Sequence, residues 1–225
     1  MRFHVEALFT HDAEGRLLRV NEPDGAPAPR FFLGRTAEGV VLRCRYDVGA
    51  DVRRELEAAS TDDDLRERSL DSPTDPSRYQ TILARAAPVQ KTWRGPAFHF
   101  PPQLPATSEI IFVTESNAQI LEEFLRAWIP DTHTAQPMVA MTIDDHAVAV
   151  CCSVRQTNMA HEAGVETVPT FRGRGLAAQV VAAWAGAVRE MGFVPLYSTS
   201  WENEASRAVA RKLGLIQFGS DLHIT

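Results

Sequence analysis

Arg172-Gly173-Arg174-Gly175-Leu176-Ala177 joins a β-rich run ending at Val168 to a segment of helical spacing, and its reading decides the fold of the chain. Beyond it Leu176, Val180, Trp184 and Val188 recur every fourth residue, the pattern of a helix with one apolar face. Glycines in a strand-to-helix turn let the main chain come close to a ligand. The first-turn amides of a helix lack intrahelical acceptors and can donate to phosphate oxygens. The two arginines add charge-assisted contacts. The stretch therefore reads as an anion cradle. It is not a Walker loop, because the Gly-Lys-Ser/Thr ending is missing, nor a dinucleotide fingerprint, because no parallel βαβ unit with a terminal acidic residue surrounds it.

Working outward, residues 137–142, 146–154 and 161–168 read as strands. The short loop at Gln156-Thr157-Asn158 makes the last two antiparallel. Residues 109–114 are a further β-rich run, and 116–129 show helical spacing through Ile120, Leu121, Phe124, Leu125 and Trp128. On the carboxy-terminal side a strand at 193–200 leads to Trp201-Glu202-Asn203-Glu204-Ala205-Ser206. A helix at 203–213 follows, with Asn203 a fitting N-cap and Gly214 a fitting residue just past the end, and 215–224 is the final strand. The order after Pro105, β-α-β-β-β-α-β-α-β, predicts an α/β (α+β) architecture, a mixed sheet covered by helices on both faces.

Together these segments resemble the GNAT superfamily of acyl-CoA-dependent N-acyltransferases, closely over residues 137–225 and loosely back to about residue 106. The resemblance implies that Arg172, Gly173, Arg174, Gly175, Leu176 and Ala177 bind the pyrophosphate of CoA through main-chain amides. It implies that Val165, Glu166, Thr167 and Val168 lie along pantetheine, where a backbone N–H polarises the thioester carbonyl. Asn203, Ser206 and Lys212-Leu213-Gly214 resemble a second motif, whose asparagine touches the CoA arm. Acetyl-CoA is then a cosubstrate, and a small-molecule or peptide amine the acceptor. Many members carry a tyrosine four residues before the glycine of Lys-Leu-Gly, which protonates the departing thiolate; here that position is Ala210. Either Tyr197 or Ser200 serves instead, or the thiolate, with a thiol pKa around 8.5, leaves unassisted.

A protonated amine cannot attack a thioester, so the reaction needs a proton acceptor, and a positioned donor must stabilise the oxyanion that forms. In the strand at 161–168 a period of two puts Glu162, Gly164 and Glu166 on one face, unless a bulge in that strand disturbs the count. Glu162, beside Ala163 and Gly164, is the first candidate base, Glu166 the second and His161 the third. Solvated strand carboxylates with no catalytic task are the alternative reading of both glutamates.

Composition narrows the function further. The chain of 225 residues carries a net charge of −6, and it lacks the basic field of a nucleic-acid clamp. The first 105 residues hold 15 basic and 16 acidic side chains and the remainder 8 and 13, so the acidic excess lies in the carboxy-terminal half. No stretch of 18 consecutive apolar residues is present, the histidines show no clustered metal spacing, and Cys44, Cys151 and Cys152 read as small buried side chains. These features lead us to expect a cytoplasmic protein with no metal, no membrane association and no nucleic-acid partner.

The first 105 residues read as a smaller β-rich region preceding an acyltransferase domain at 106–225. Residues 3–9 and 16–20 alternate like strands about a turn at Asp12–Gly15. Residues 30–33 and 40–46 form a second hairpin, 51–60 a short helix, and Asp62-Asp63-Asp64 a second helix start. Prolines 73, 76, 88, 96, 101, 102 and 105 mark a connection of poor regularity. This region is expected to pack on the acyltransferase sheet and border the acceptor site, with homodimerisation through exposed strand edges the alternative. Three functions stay open: transfer of acetyl to a primary amine, transfer of a longer acyl chain, and CoA binding without catalysis.

Overall fold

The computed structural model describes residues 1–23, 25–61, 69–107 and 109–225. Asp24 and the acidic run Asp62–Asp64 lie outside the described residues. The chain folds into two compact units that interleave along the sequence. The first comprises Met1–Phe98, Ser198–Glu204 and Gln217–Thr225; the second comprises His99–Tyr197 and Ala205–Ile216.

The first unit opens with a helix, α1 (Arg2–Leu8), where alternation predicted a strand. His4, Val5, Ala7 and Leu8 are its buried residues, a helical stripe rather than an alternating one. Tertiary packing decides between the two: His4 Nε2 lies 2.7 Å from Asp221 Oδ2, and Val5 and Leu8 enter a core with Phe9, Leu17, Ala28 and Phe32. Two hairpins follow, the second near its expected bounds and the first with its leading strand at 9–11 instead of 3–9. β1 (Phe9–His11) pairs antiparallel with β2 (Leu17–Val20), and β3 (Phe31–Thr36) with β4 (Gly39–Cys44). Helix α2 (Ala50–Ser60) is also as read. The proline-marked stretch is more regular than its composition suggests, because it holds α3 (Ser77–Ala84) and β5 (Thr92–His99). Pro76 falls where a missing N–H is tolerated, as the N-cap of α3, while Pro96 lies within β5. The amino-terminal region is thus mixed α and β rather than mainly β.

The last strand, β11 (Ile216–Ile224), completes this unit by pairing antiparallel with β3 from Ser220↔Arg35 to Ile224↔Phe31, with β5 on its other side. Leu222 and Ile224 are buried with Phe31, Leu33, Leu56, Tyr79 and Leu83. Asp221 is buried between two imidazoles, His4 at 2.7 Å and His223 Nε2 at 3.3 Å from the same oxygen. Burial is the strongest single influence and pushes its pKa up. The charges and hydrogen bonds of His223 and His4 together outweigh it and hold the carboxyl at about 2.

The second unit is a mixed sheet flanked by helices, as predicted. β6 (Ile110–Phe112), β7 (Met138–Ile143), β8 (His146–Gln156) and β9 (Ala160–Thr167) pair antiparallel in turn, and β10 (Val194–Ser198) pairs parallel to β9. Helix α4 (Leu176–Glu190) packs on β7, β8 and β9. Residues 116–129, read as one helix, instead form two 3₁₀ helices, Glu115–Leu121 and Arg126–His133. Non-helical dihedrals at Asn117 and the missing donor of Pro130 keep a longer α-helix from forming. These turns cover the other face, where Leu121 and Leu125 pack with Met138, Ala140, Val150 and Cys152.

A bulge does occur, but in β8 and not in the strand that carries the candidate bases. Ser153 pairs with Ala163 and Arg155 with Glu162, which leaves Val154 as the extra residue. Gly164 accommodates it, since a Cβ there would overlap the Val154 side chain. β9 therefore keeps its alternation, and Glu162, Gly164 and Glu166 share a face. On the opposite face the fully buried Trp184 of α4 donates through Nε1 to Ser153 Oγ at 3.0 Å.

Candidate active site

The cradle begins where β9 ends. Val168 donates its N–H to the Val148 carbonyl at 3.0 Å, and a single 3₁₀ turn, Pro169–Phe171, lifts the chain off the sheet. Gly173 and Gly175 follow with φ of +77° and +79°, left-handed values that L side chains rarely adopt. Gly175 is the N-cap of α4, so Leu176 and Ala177 begin the first turn, and no side chain caps it. The amide donors of that turn are left for an external acceptor.

The turn carries two arginines, and a lysine approaches it. Arg172 is steadied by its own strand, with Nε donating to the Thr167 carbonyl at 3.1 Å. Arg174 lies 4.9 Å over the Phe171 ring. Lys212, at the end of α5 (Glu204–Lys212), brings its Nζ against Gly175, so that a Cβ at that glycine would overlap the ammonium. An ammonium beside the positive end of a helix dipole is unfavourable unless an anion lies between them. Sequence reasoning placed Lys212 in a motif without giving it a task. Its being one of only two lysines in the chain was the signal available.

The residues along β9 are disposed as follows. Val165 is half-buried and Val168 buried, while Thr167 Oγ1 is a buried hydroxyl with no hydrogen-bond partner. Such an orphaned polar atom beside the cradle fits an amide-bearing ligand running along the strand. Glu166 is exposed, and its Oε2 accepts a 2.6 Å hydrogen bond from Trp128 Nε1, a partner that sequence reading did not supply. Glu162 is only 2% exposed. His161 is taken up by packing: Nδ1 lies 2.9 Å from Ser153 Oγ, its ring stacks on Phe193 at 4.6 Å, and burial lowers its pKa.

The second motif divides. Gly214, at φ +62°, closes α5 as predicted, with Gly214 N–H on Arg211 O and Leu215 N–H on Ala210 O. Ser206 turns to Tyr197, whose hydroxyl lies 2.6 Å from Ser206 Oγ. Burial raises the Tyr197 pKa to about 12, against the Ser206 hydrogen bond and with support from the charges of Cys151 and Glu162. Asn203 belongs to the first compact unit, its N–H on the Ser200 carbonyl. Ala210 is buried. Among the described residues no group of three or more His, Cys, Asp or Glu could hold a metal ion, and no helix is long and apolar enough to cross a membrane.

Residues 138–219 match the family model of the GNAT acetyltransferases. No curated protein matches the chain. Among solved structures, one described as an acetyltransferase from the GNAT family of Novosphingobium aromaticivorans is 19% identical, with a TM-score of 0.51 over 60% of this chain and 65% of that one. An acetyltransferase from the GNAT family of Colwellia psychrerythraea is 12% identical, with a TM-score of 0.50 over 68% and 63%. The chain thus spans slightly less than two thirds of either protein, and at these identities the likeness concerns the fold. Residues 138–219 are thus similar in sequence to the GNAT acetyltransferases, and the solved structures share their fold.

Proposed function

We propose that the protein transfers acetyl from acetyl-CoA to a primary amine. The observation that carries this reading is the Gly175 cradle, a helix start with no side-chain cap against which the Lys212 ammonium is brought. Bound acetyl-CoA would supply an activated thioester. Main-chain amides of residues 173–177 and Lys212 would hold its phosphates, and the Thr167 hydroxyl would meet the pantetheine amides. Glu162, shielded from bulk water, would accept the amine proton, and Glu166, fixed by Trp128, is the alternative acceptor. Alignment of the two reactants would supply much of the remaining acceleration. The buried free thiols of Cys44, Cys151 and Cys152 support a reducing, cytoplasmic setting.

A second reading, CoA binding without catalysis, is favoured by Ala210 together with Tyr197 being tied to Ser206. Calorimetric titration with acetyl-CoA, followed by thiol release with a panel of amines, separates the two. Binding with thiol release supports the transferase, and binding with no release from any amine supports the second reading. Absence of binding overturns both.

A further inference from the structure

The first compact unit holds a cleft of about 330 Å³ that acyl transfer leaves without a task, near the lower end of the range used for small ligands. Its walls come from the start of α3, the first residues of β5 and the loop after β10. Main-chain bonds hold two of these together. Trp201 N–H donates to the Arg94 carbonyl at 3.1 Å and Thr199 N–H to that of Pro96 at 3.3 Å, and a side chain at Gly95 would overlap the Thr199 carbonyl. The third wall is tied in by Gln80 Nε2, which donates to Thr92 Oγ1 at 2.9 Å. Trp93, also in the wall, is held by stacking on His223 with centroids 4.6 Å apart.

This scaffold presents one cation and one anion side by side. Arg94 Nη2 lies 3.7 Å from Glu202 Oε1, well beyond the spacing of a tight charge-assisted hydrogen bond, and both side chains keep solvent exposure, 31% and 69%. An exposed pair this loose contributes little on its own, and a ligand bearing both charges could replace it with two close contacts. The other lining residues, Pro76, Gln80, Thr92, Trp93 and Ser200, carry no charge.

We propose that this cleft binds a free α-amino acid with an uncharged side chain, its carboxylate on Arg94, its ammonium on Glu202 and its carbon skeleton against Trp93. A simple anion meets Glu202, and a simple amine meets Arg94; a zwitterion satisfies both. A charged ligand side chain finds no counter-ion among the remaining lining residues.

The test is calorimetric titration of the full-length protein without CoA, so that its outcome is independent of the acyl-transfer reading. The probes are L-alanine, L-serine, L-leucine and L-glutamine, each with its carboxamide and its N-acetyl derivative. At least one free amino acid should bind, and masking either charge should weaken it about tenfold or more, as expected for losing a hydrogen bond to a charged group. Arg94→Gln should remove the advantage of the free acid over its carboxamide, and Glu202→Gln its advantage over the N-acetyl form, with melting temperatures unchanged. The proposal is overturned if no free amino acid binds, if masked forms bind the wild-type protein equally well, or if both variants bind like wild type. Should a variant melt early, the masked forms on the wild-type protein still decide.

Discussion

The Lys212 ammonium occupies the space that a side chain at Gly175 would need, whereas a Cβ at Gly173 meets nothing within 4 Å. Two glycines with nearly the same dihedrals thus do different jobs. Gly173 is required by conformation alone, and Gly175 by conformation and by the approach of a cation. Gly173→Ala should cost roughly 1–2 kcal/mol of stability from the left-handed dihedral, seen as a lower midpoint in urea. Gly175→Ala should cost a similar amount and also displace Lys212, with the larger loss of acetyl-CoA affinity by calorimetry. Equal affinities in the two variants would sink the role given to Lys212.

Trp128 and Glu166 are expected to act as one unit, because the indole N–H holds the carboxylate at 2.6 Å. In a double-mutant cycle read by the urea midpoint, Trp128→Phe, Glu166→Gln and the pair should lower stability by similar amounts, with the second change adding little to the first. Simple additivity would show that the tryptophan works only through packing.

Glu162→Gln should lower turnover near neutral pH while leaving acetyl-CoA affinity unchanged. The deficit should narrow as pH rises and more of the amine arrives unprotonated. A rate profile parallel to wild type across the pH range would move the proton acceptor to Glu166 or to water.

Asp221 gives the first unit an acid limit. Its carboxyl is held at about 2 in the folded protein against an ordinary value of 3.8. The folded state therefore releases this proton more readily than the unfolded chain. The stabilisation, roughly 2 kcal/mol, is fully present above pH 4 and is lost as pH falls from about 4 to 2. Thermal melting followed from pH 6 to pH 2 should decline over that window, and Asp221→Asn should flatten the decline while lowering the melting point at neutral pH.

The second unit was largely legible in the sequence, because its signals are local. Leu176, Val180, Trp184 and Val188 mark one helix face, two glycines mark the cradle and Gly214 marks a helix end. Expectations failed where the deciding contact comes from far along the chain. Residues 3–9 satisfy helix and strand patterns alike, and Asp221, more than two hundred residues later, settles the matter through His4. The bulge at Val154 is visible only in the pairing of β8 with β9. Likewise the hydrogen bond from Trp128 to Glu166 joins residues that no spacing rule connects.

The placement of β11 sets a timetable for synthesis. As the chain leaves the ribosome, β3 and β4 emerge early and must wait for residues 217–225, with Leu222 and Ile224, before their core can close. Until then the edge of β3 that β11 will cover is open to other strands. The second unit, whose last piece is Ala205–Ile216, can finish first. Removal of residues 217–225 would therefore leave the first unit unfinished, and a piece starting at residue 106 would carry β11 without β3 and β5.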